Sequence, residues 1–509
     1  MGREGNASGG TPSMNDDGKS DSPVLPAKPP NNTGPPVAEV VEGRGLPEGN
    51  TASKTRPGHS AGQDAPSALD RVREVAVRDK DAKFTALLHH VDVDRLRAAY
   101  RALRPRAAPG VDGVTWQDYG RDLEGNLLDL HARVHRGSYR AKPVRRAFIP
   151  KRDGRLRPLG VAALEDKIVQ RAVVEVLNSI YETDFVGFSY GFRPGRKPHD
   201  ALDALAAGIL RKRVNWVLDA DIRDYFTSLD QSWLLRFLEH RIADRRILRL
   251  VQKWLAAGVI ENGAWSATVD GTAQGASASP LLANVYLHYV FDLWAEQWRR
   301  RHAHGDMIIV RFADDYIAGF EHRDDAERFL HDLRERFAQF ALELHPQKTR
   351  LIEFGRHAAQ TRKAHGLSKP ETFEFLGFTH ICAKTRSGRF TLKRVTSKKR
   401  MRAKLSEVKN ELIRRRHLPV PEQGKWLASV VRGHLNYYAV PTNSDAIIAF
   451  RTQTARHWCR ALRRRSQRSA LDWERMNRLA NRWLPPARVK HPYPDARFAA
   501  TTRGKSPVR

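Results

Sequence analysis

The chain has 509 residues, a formal net charge of +31 and a pI near 10.5, a positive excess well beyond what solubility asks for and one that points to a polyanionic partner, most simply nucleic acid. Its two cysteines, Cys382 and Cys459, exclude a disulfide framework and a Cys₄ zinc site and suit a reducing compartment. No apolar run reaches membrane-spanning length and no secretory signal is visible, so an anionic membrane surface is the weaker rival to nucleic acid. Residues 1–65 are rich in Gly, Pro, Asn, Asp and Ser and are expected to be a disordered tail; Met14, opening a more acidic stretch, is a second candidate start. From Leu69 apolar residues recur at helical intervals until the turn residues of 108–113, and Leu123 to His135 reads as a further helix. Arg145 to Gly160 predicts a β-hairpin with its turn at Asp153-Gly154. Lys151 and Arg157 flank that turn, placed either to meet a triphosphate or simply to be solvated. An amphipathic helix follows over Glu165 to Tyr181. Phe188 to Pro194 is an aromatic and glycine loop carrying Arg193 and Arg196, suited to stacking bases and holding phosphates or to packing a corner.

Two acidic strand ends come next. Trp216 to Ile222 is β-rich, with Asp219 and Asp221 two residues apart on one face of a strand and Phe226 five residues further on. Gly271 to Ala283 is a run of small residues before a helix over Leu281 to Trp298, in which Gly275 would let a substrate approach the backbone. Met307 to Phe320 then predicts a hairpin with Asp314 and Asp315 at its turn. An isolated Asp-Asp is usually an ordinary polar turn. Here like charges sit between apolar runs and a second acidic strand end is present, an arrangement that asks for cations, with hard oxygen donors favouring Mg²⁺.

In this order the stretches resemble the reverse transcriptases encoded by bacterial group II introns, also called maturases. The likeness spans Leu69 to Pro486. It rests on Gly110 to Gly113, on Phe148-Ile-Pro-Lys151 with Arg157-Pro-Leu-Gly160, on Ser189 to Arg196, and on Asp221-Ile-Arg-Asp-Tyr-Phe226. It continues through Thr272-Ala-Gln-Gly275 with Ser279 to Asn284, Phe312-Ala-Asp-Asp315, Leu344 to Thr349 and Phe375-Leu-Gly-Phe378. Phe312 replaces the usual Tyr, Ala273 the usual Pro, and Ala162-Ala163 a common Ile-Pro; no carboxylate is lost. The resemblance implies an α+β right-hand polymerase with an antiparallel palm sheet, β fingers and an all-helical thumb. Asp221, Asp314 and Asp315 become the ligands of two Mg²⁺ ions about 3.5–4 Å apart that serve nucleotidyl transfer. Lys151 and Arg157 would hold the triphosphate, Phe226 would exclude a 2′-hydroxyl, Gln274 and Gly275 would line the nucleotide pocket, and Lys348 would protonate pyrophosphate or contact the primer. Asp219 has no metal role in this reading.

From Lys393 to Lys490 there are 25 Lys and Arg against 6 Asp and Glu, which concentrates about +19 of the charge. Apolar stripes through Leu405, Val408 and Leu412, and through Trp458, Leu462, Leu471, Trp473 and Met476, predict helices beside Arg414, Arg415 and Arg416 and beside Arg463, Arg464 and Arg465. One-signed helices with a core suit RNA phosphates; Tyr437 and Tyr438 are candidate RNA contacts or packing residues. The expected domains are a tail (1–65), an N-terminal extension with fingers (66–215), a palm (216–392), a thumb or maturase domain (393–486) and a short basic tail (487–509) without an endonuclease. The function implied is an RNA-directed DNA polymerase that binds its parent intron RNA, assists its splicing and reverse transcribes it during retrohoming, in the bacterial cytoplasm as a ribonucleoprotein. Its partners would be its intron RNA, an RNA template with DNA primer, dNTPs and target DNA, with no membrane partner; the oligomeric state is open. A non-catalytic splicing chaperone and a reverse transcriptase domesticated for defence or repair are the alternatives.

Overall fold

The computed structural model describes residues 68–150, 156–261, 264–267, 271, 275–465 and 471–502, all within the unit Pro36–Arg509. The predicted tail, Lys151, the Asp153-Gly154 turn and Gln274 lie outside the described residues, and of Arg157 only the backbone is described. Helices α1 (Ala68–Arg78) and α2 (Val93–Ala102) pack on α4 (Leu164–Asp184), and α3 (Leu123–Arg136) packs on α2. The cause is the α4 stripe of Ile168, Val169, Ala172, Val173, Val176 and Leu177, all buried. Asp92 caps α2 by accepting from the Arg95 amide at 2.7 Å, and Gly137, at φ 79°, closes α3 in the left-handed conformation that glycine adopts without strain. Between α3 and α4 the predicted hairpin forms, as β1 (Val144–Pro150) and β2 (Leu156–Val161) paired antiparallel from Arg145↔Val161 to Pro150↔Leu156.

Next come α5 (Pro198–Arg211), β3 (Trp216–Ala220), the short α6 (Tyr225–Ser228), α7 (Gln231–Glu239), α8 (Arg245–Ala256), and strands β4 (Val259–Glu261) and β5 (Ala264–Ser266). The predicted helix over Leu281 to Trp298 is present as α9 (Ser279–Leu287) and α10 (Leu293–Arg301) joined by a π-helical turn, His288–Asp292. The acidic hairpin follows as β6 (Met307–Phe312) and β7 (Asp315–Phe320), then α11 (Arg323–Ala338), β8 (Arg350–Glu353), β9 (Phe373–Phe375), β10 (Phe378–Lys384) and β11 (Phe390–Thr396). Four helices, α12 (Lys398–Arg414), α13 (Val420–Tyr438), α14 (Ser444–Arg463) and α15 (Trp473–Trp483), form a C-terminal bundle before α16 (Pro494–Thr502).

These strands make three sheets among the described residues. The order β6-β7-β3-β8 is antiparallel throughout; β6 opens on the apolar run Met307 to Val310 because α5 covers one face of this sheet while α11 packs on β3 and β7. The second sheet, β2-β1-β4-β5, recruits β4 and β5 from the interval assigned above to the palm, since β4 runs parallel to β1. The third is β11-β10-β9.

Three other expectations need correction. β3 ends at Ala220, so Asp221 lies beyond the strand and does not share a strand face with Asp219. The bundle begins at Lys398: residues 393–396 belong to β11, and Arg394 is buried there in an ion pair with Asp203 of α5 at 2.7 Å. The segment after 486 is no simple basic tail. The Lys490 amide donates to the Ala439 carbonyl at 2.8 Å, Arg211 pairs with Asp495 at 2.7 Å, and Phe498 is buried against α5, because this segment carries apolar and acidic groups that its net charge hides.

Arg394→Met would leave the buried Asp203 carboxylate with Arg497 alone, 3.2 Å away. A loss of about 3 kcal/mol is expected in urea unfolding, since removing one partner strands the other charge.

Candidate active site

The three palm-assigned carboxylates reach one region by different routes. Asp315 opens β7. Asp314 stands in the turn before it, where Ala313 adopts a left-handed φ of 57°, a conformation that costs a residue with a Cβ about 1 kcal/mol. Asp221 follows β3, and its backbone is fixed from the side: its carbonyl accepts from the His345 amide at 2.8 Å, and the Arg223 amide donates to the Glu343 carbonyl at 2.8 Å. Asp221 and Asp315 line a cleft of about 340 Å³ with Asp219, Tyr316, Gln347, Lys348, Arg350 and Glu374.

The cleft is acidic and supplies its own counter-ions. The Lys348 ammonium pairs with Asp221, Arg350 reaches Asp219 at 3.1 Å, and the Ser397 hydroxyl donates to Glu374 at 2.8 Å. Asp315 is the exposed first residue of β7 and faces the cleft. Desolvation first, and then the charges of Asp314 and Asp221, push its carboxyl well above the usual carboxylate range. Burial likewise raises Asp219, with Arg350 opposing the shift. A divalent cation would relieve this repulsion, and the donors are the hard oxygens that Mg²⁺ takes. Among the described residues no three His, Cys, Asp or Glu side chains already stand together at a common chelating point. In this structure Lys348 occupies the Asp221 carboxylate.

The turn that carries Asp314 rests on a buried guanidinium. Arg311 is fully buried and donates to Asp292 at 2.6 and 2.5 Å, to the Ser189 hydroxyl at 2.7 Å, to the Asn284 side-chain Oδ1 at 3.0 Å and to the Ala313 backbone carbonyl at 2.9 Å. Sequence reasoning passed over it. The available signal was a lone cation inside an apolar strand, Met307 to Phe312, a place where charge is costly unless it is paired. Gly191 completes the arrangement: a Cβ there would lie 2.2 Å from the Ala313 nitrogen, so the aromatic loop packs on the turn only with glycine at this position.

Other predicted site residues fall elsewhere. Phe226 is buried against Tyr225, ring centroids 5.4 Å apart, and does not line the cleft. Gly275, at φ 109°, lies against β2: a Cβ would lie 2.9 Å from the Gly160 carbonyl. Arg193 is a correction to the RNA-contact reading, because its guanidinium is buried and committed to Glu182 at 3.0 Å and to the Ser189 carbonyl at 2.8 Å. Arg196, half-buried, donates to the Gly187 carbonyl at 2.7 Å and lies over the Tyr190 ring. Tyr437 takes the packing alternative, donating to the Leu376 carbonyl at 2.8 Å and stacking on Phe378.

The two arginine clusters of the bundle, far apart in sequence, meet at one end of it: Arg465 donates to the His417 carbonyl at 3.4 Å. Buried Gln423 holds the intervening loop by donating to the Leu418 carbonyl at 2.9 Å while accepting from the Trp458 indole at 2.9 Å. Arg414, Arg463, Arg464 and Arg465 are exposed, and Arg415 and Arg416 are half-buried; Arg414 and Arg415 pair with Glu411 at 3.4 and 2.7 Å.

Residues 149–380 match the family described as reverse transcriptase (RNA-dependent DNA polymerase), a span that encloses every cleft residue. The chain is 39% identical over 240 residues to protein YkfC of Escherichia coli, covering 41% of this chain and 62% of that protein. It is 33% identical over 222 residues to the group II intron-encoded protein LtrA of Lactococcus lactis subsp. cremoris, covering 43% of this chain and 37% of LtrA. A shorter likeness, 28% over 94 residues, links it to nuclear intron maturase 1 of Arabidopsis thaliana, with 18% and 12% covered. The chain thus spans less than two thirds of the length of these relatives. No described helix is long and apolar enough to cross a membrane.

Gly275→Ala would force a Cβ toward Gly160 at a backbone angle that L-residues avoid. An apparent loss of about 1–3 kcal/mol is expected in thermal unfolding. If Gly275 serves only substrate approach, the melting temperature will instead be unchanged.

Proposed function

We propose, on the premise that this chain belongs to the reverse transcriptase family of group II intron-encoded proteins, that it is an RNA-directed DNA polymerase that also assists the splicing of its parent intron RNA. The observation that carries the reading is the cleft: two acidic chain segments from neighbouring strands, inside the matched span, meet where repulsion makes a divalent cation welcome. In this reading the sheet β6-β7-β3-β8 is the palm, β2-β1-β4-β5 belongs to the fingers, and the C-terminal bundle is the thumb or maturase domain. Asp221, Asp314 and Asp315 would hold two Mg²⁺ ions. When bound, such ions activate an attacking hydroxyl and neutralise a leaving pyrophosphate.

The chain's own residues do the remaining work. Lys348, freed from Asp221, is a mobile cation at the cleft wall that would follow charge as it builds on the departing phosphates. Arg350 holds Asp219 and keeps that carboxylate from competing for the ions. Lys151 and Arg157 would grip the triphosphate, and Gln274 would line the nucleotide pocket. Arg414 to Arg416 and Arg463 to Arg465, gathered at one end of the bundle, would bind intron RNA through phosphates, in a ribonucleoprotein of the bacterial cytoplasm that later engages target DNA.

Primer extension on an RNA template with dNTPs and Mg²⁺ tests the polymerase, with RNA binding measured in the same tubes. Asp221→Asn and Asp314→Asn should each lower the rate at least about a thousandfold, roughly 4 kcal/mol of barrier, with binding retained. Tight RNA binding without extension by the wild type would replace the polymerase with a non-catalytic splicing chaperone. Changing Arg463, Arg464 and Arg465 together to Gln should reduce the slope of log affinity against log salt by about 2 for single-stranded RNA; an unchanged slope would remove this end of the bundle from the RNA interface.

A further inference from the structure

We infer that Arg311 is a positioning residue for the metal-binding carboxylates: it fixes the Ala313–Asp314 peptide, and through it the orientation in which Asp314 and Asp315 meet a divalent cation. This deepens the proposed function and rests on it. A guanidinium has five N–H donors, and Arg311 uses all of them: one from Nε and one from Nη2 to Asp292, the other from Nη2 to Ser189, and two from Nη1 to Asn284 and Ala313. The partners come from four segments: the aromatic loop, α9, the π-helical turn, and the acidic turn itself.

The geometry goes beyond ordinary core packing in two respects. Asp292, fully buried, occupies the last position of the π-helical turn, where an otherwise continuous helix takes up an irregularity that presents a carboxylate beneath β6. The bond to the Ala313 carbonyl falls on the one residue of the acidic turn with a left-handed φ, the peptide whose rotation would swing Asp314 away. Asn284 locks the pair to the neighbouring loop: its side-chain nitrogen donates to the Gly191 carbonyl at 2.7 Å while its oxygen accepts from Arg311. A lysine at 311 keeps the charge opposite Asp292 but has no planar fork to reach Ser189, Asn284 and Ala313 together.

The test is a Mn²⁺ titration of the full chain, reading free Mn²⁺ by electron paramagnetic resonance well below the melting temperature. Groups that orient metal ligands typically alter affinity by about 10–100-fold, so Arg311→Lys should weaken Mn²⁺ binding by at least about tenfold. Asn284→Ala, which spares the Arg311–Asp292 pair, should weaken it by about threefold. Arg394→Met, which loses a buried ion pair in a different sheet, is the control for general destabilisation and should leave Mn²⁺ affinity unchanged. If Arg311→Lys fails to fold, as seen by circular dichroism, Asn284→Ala decides. Affinity within about twofold of wild type in the folded variants, or a wild type that binds no Mn²⁺, overturns the inference. Primer extension by the wild type is scored separately, so a protein that binds Mn²⁺ without extending primers refutes the polymerase while Arg311 is still judged by metal affinity.

Discussion

The buried pair of Arg311 and Asp292 is the constraint around which the acidic turn and its neighbours are assembled. Two full charges beneath a sheet are tolerated only when every donor and most lone pairs are answered, because their desolvation rivals their attraction. That requirement brings four chain segments to one point: the aromatic loop supplies Ser189, α9 supplies Asn284, the π-helical turn supplies Asp292, and the acidic turn supplies the Ala313 carbonyl. Once those are in place the register of β6 against β7 follows, and with it the position at which Asp315 begins its strand.

The same logic governs the rest of the charge. A protein with 88 Lys and Arg against 57 Asp and Glu invites the view that its arginines face a polyanion. Several are instead internal struts. Arg193 closes on Glu182, Arg241 on Asp184 at 3.0 Å, and Arg394 on Asp203. Each buried cation has a nearby acid, so these pairs contribute little to the field outside. The field that nucleic acid would meet comes from the remainder, and the bundle end that unites Arg414 to Arg416 with Arg463 to Arg465 is a concentrated part of it.

At the cleft the balance is reversed, with carboxylates in excess and cations brought to them. Lys348 and Arg350, from the turn before β8 and the start of β8, neutralise Asp221 and Asp219 in the structure as described. The two differ in what they leave behind. Arg350 is planar and also donates to the Thr372 carbonyl at 3.3 Å, so it holds its acid, whereas Lys348 is a flexible point charge that can be displaced.

Local pattern alone determined the elements that carry the chemistry: the Met307 to Phe320 hairpin, the Arg145 to Gly160 hairpin, the stripe of α4 and the helices of the bundle. Each follows from side-chain periodicity and turn chemistry within a dozen or so residues, which a sequence displays directly. Motif order also put Asp221, Asp314 and Asp315 forward as one set, and the structure brings Asp221 and Asp315 to one cleft. Tertiary structure decided what each charge is for. Arg311 stands in an apolar strand that hints at a paired charge, but nothing nearby in the sequence names Asp292, Ser189 or Asn284 as its partners, and nothing beside Arg193 announces that it is buried. The partner of Gly275 is a carbonyl more than a hundred positions away. Arg394 belongs to a sheet, and the segment after 486 docks on α5, through contacts that no spacing rule connects. Burial and pairing of charge depend on which distant segments converge, and that convergence is fixed only when the core forms.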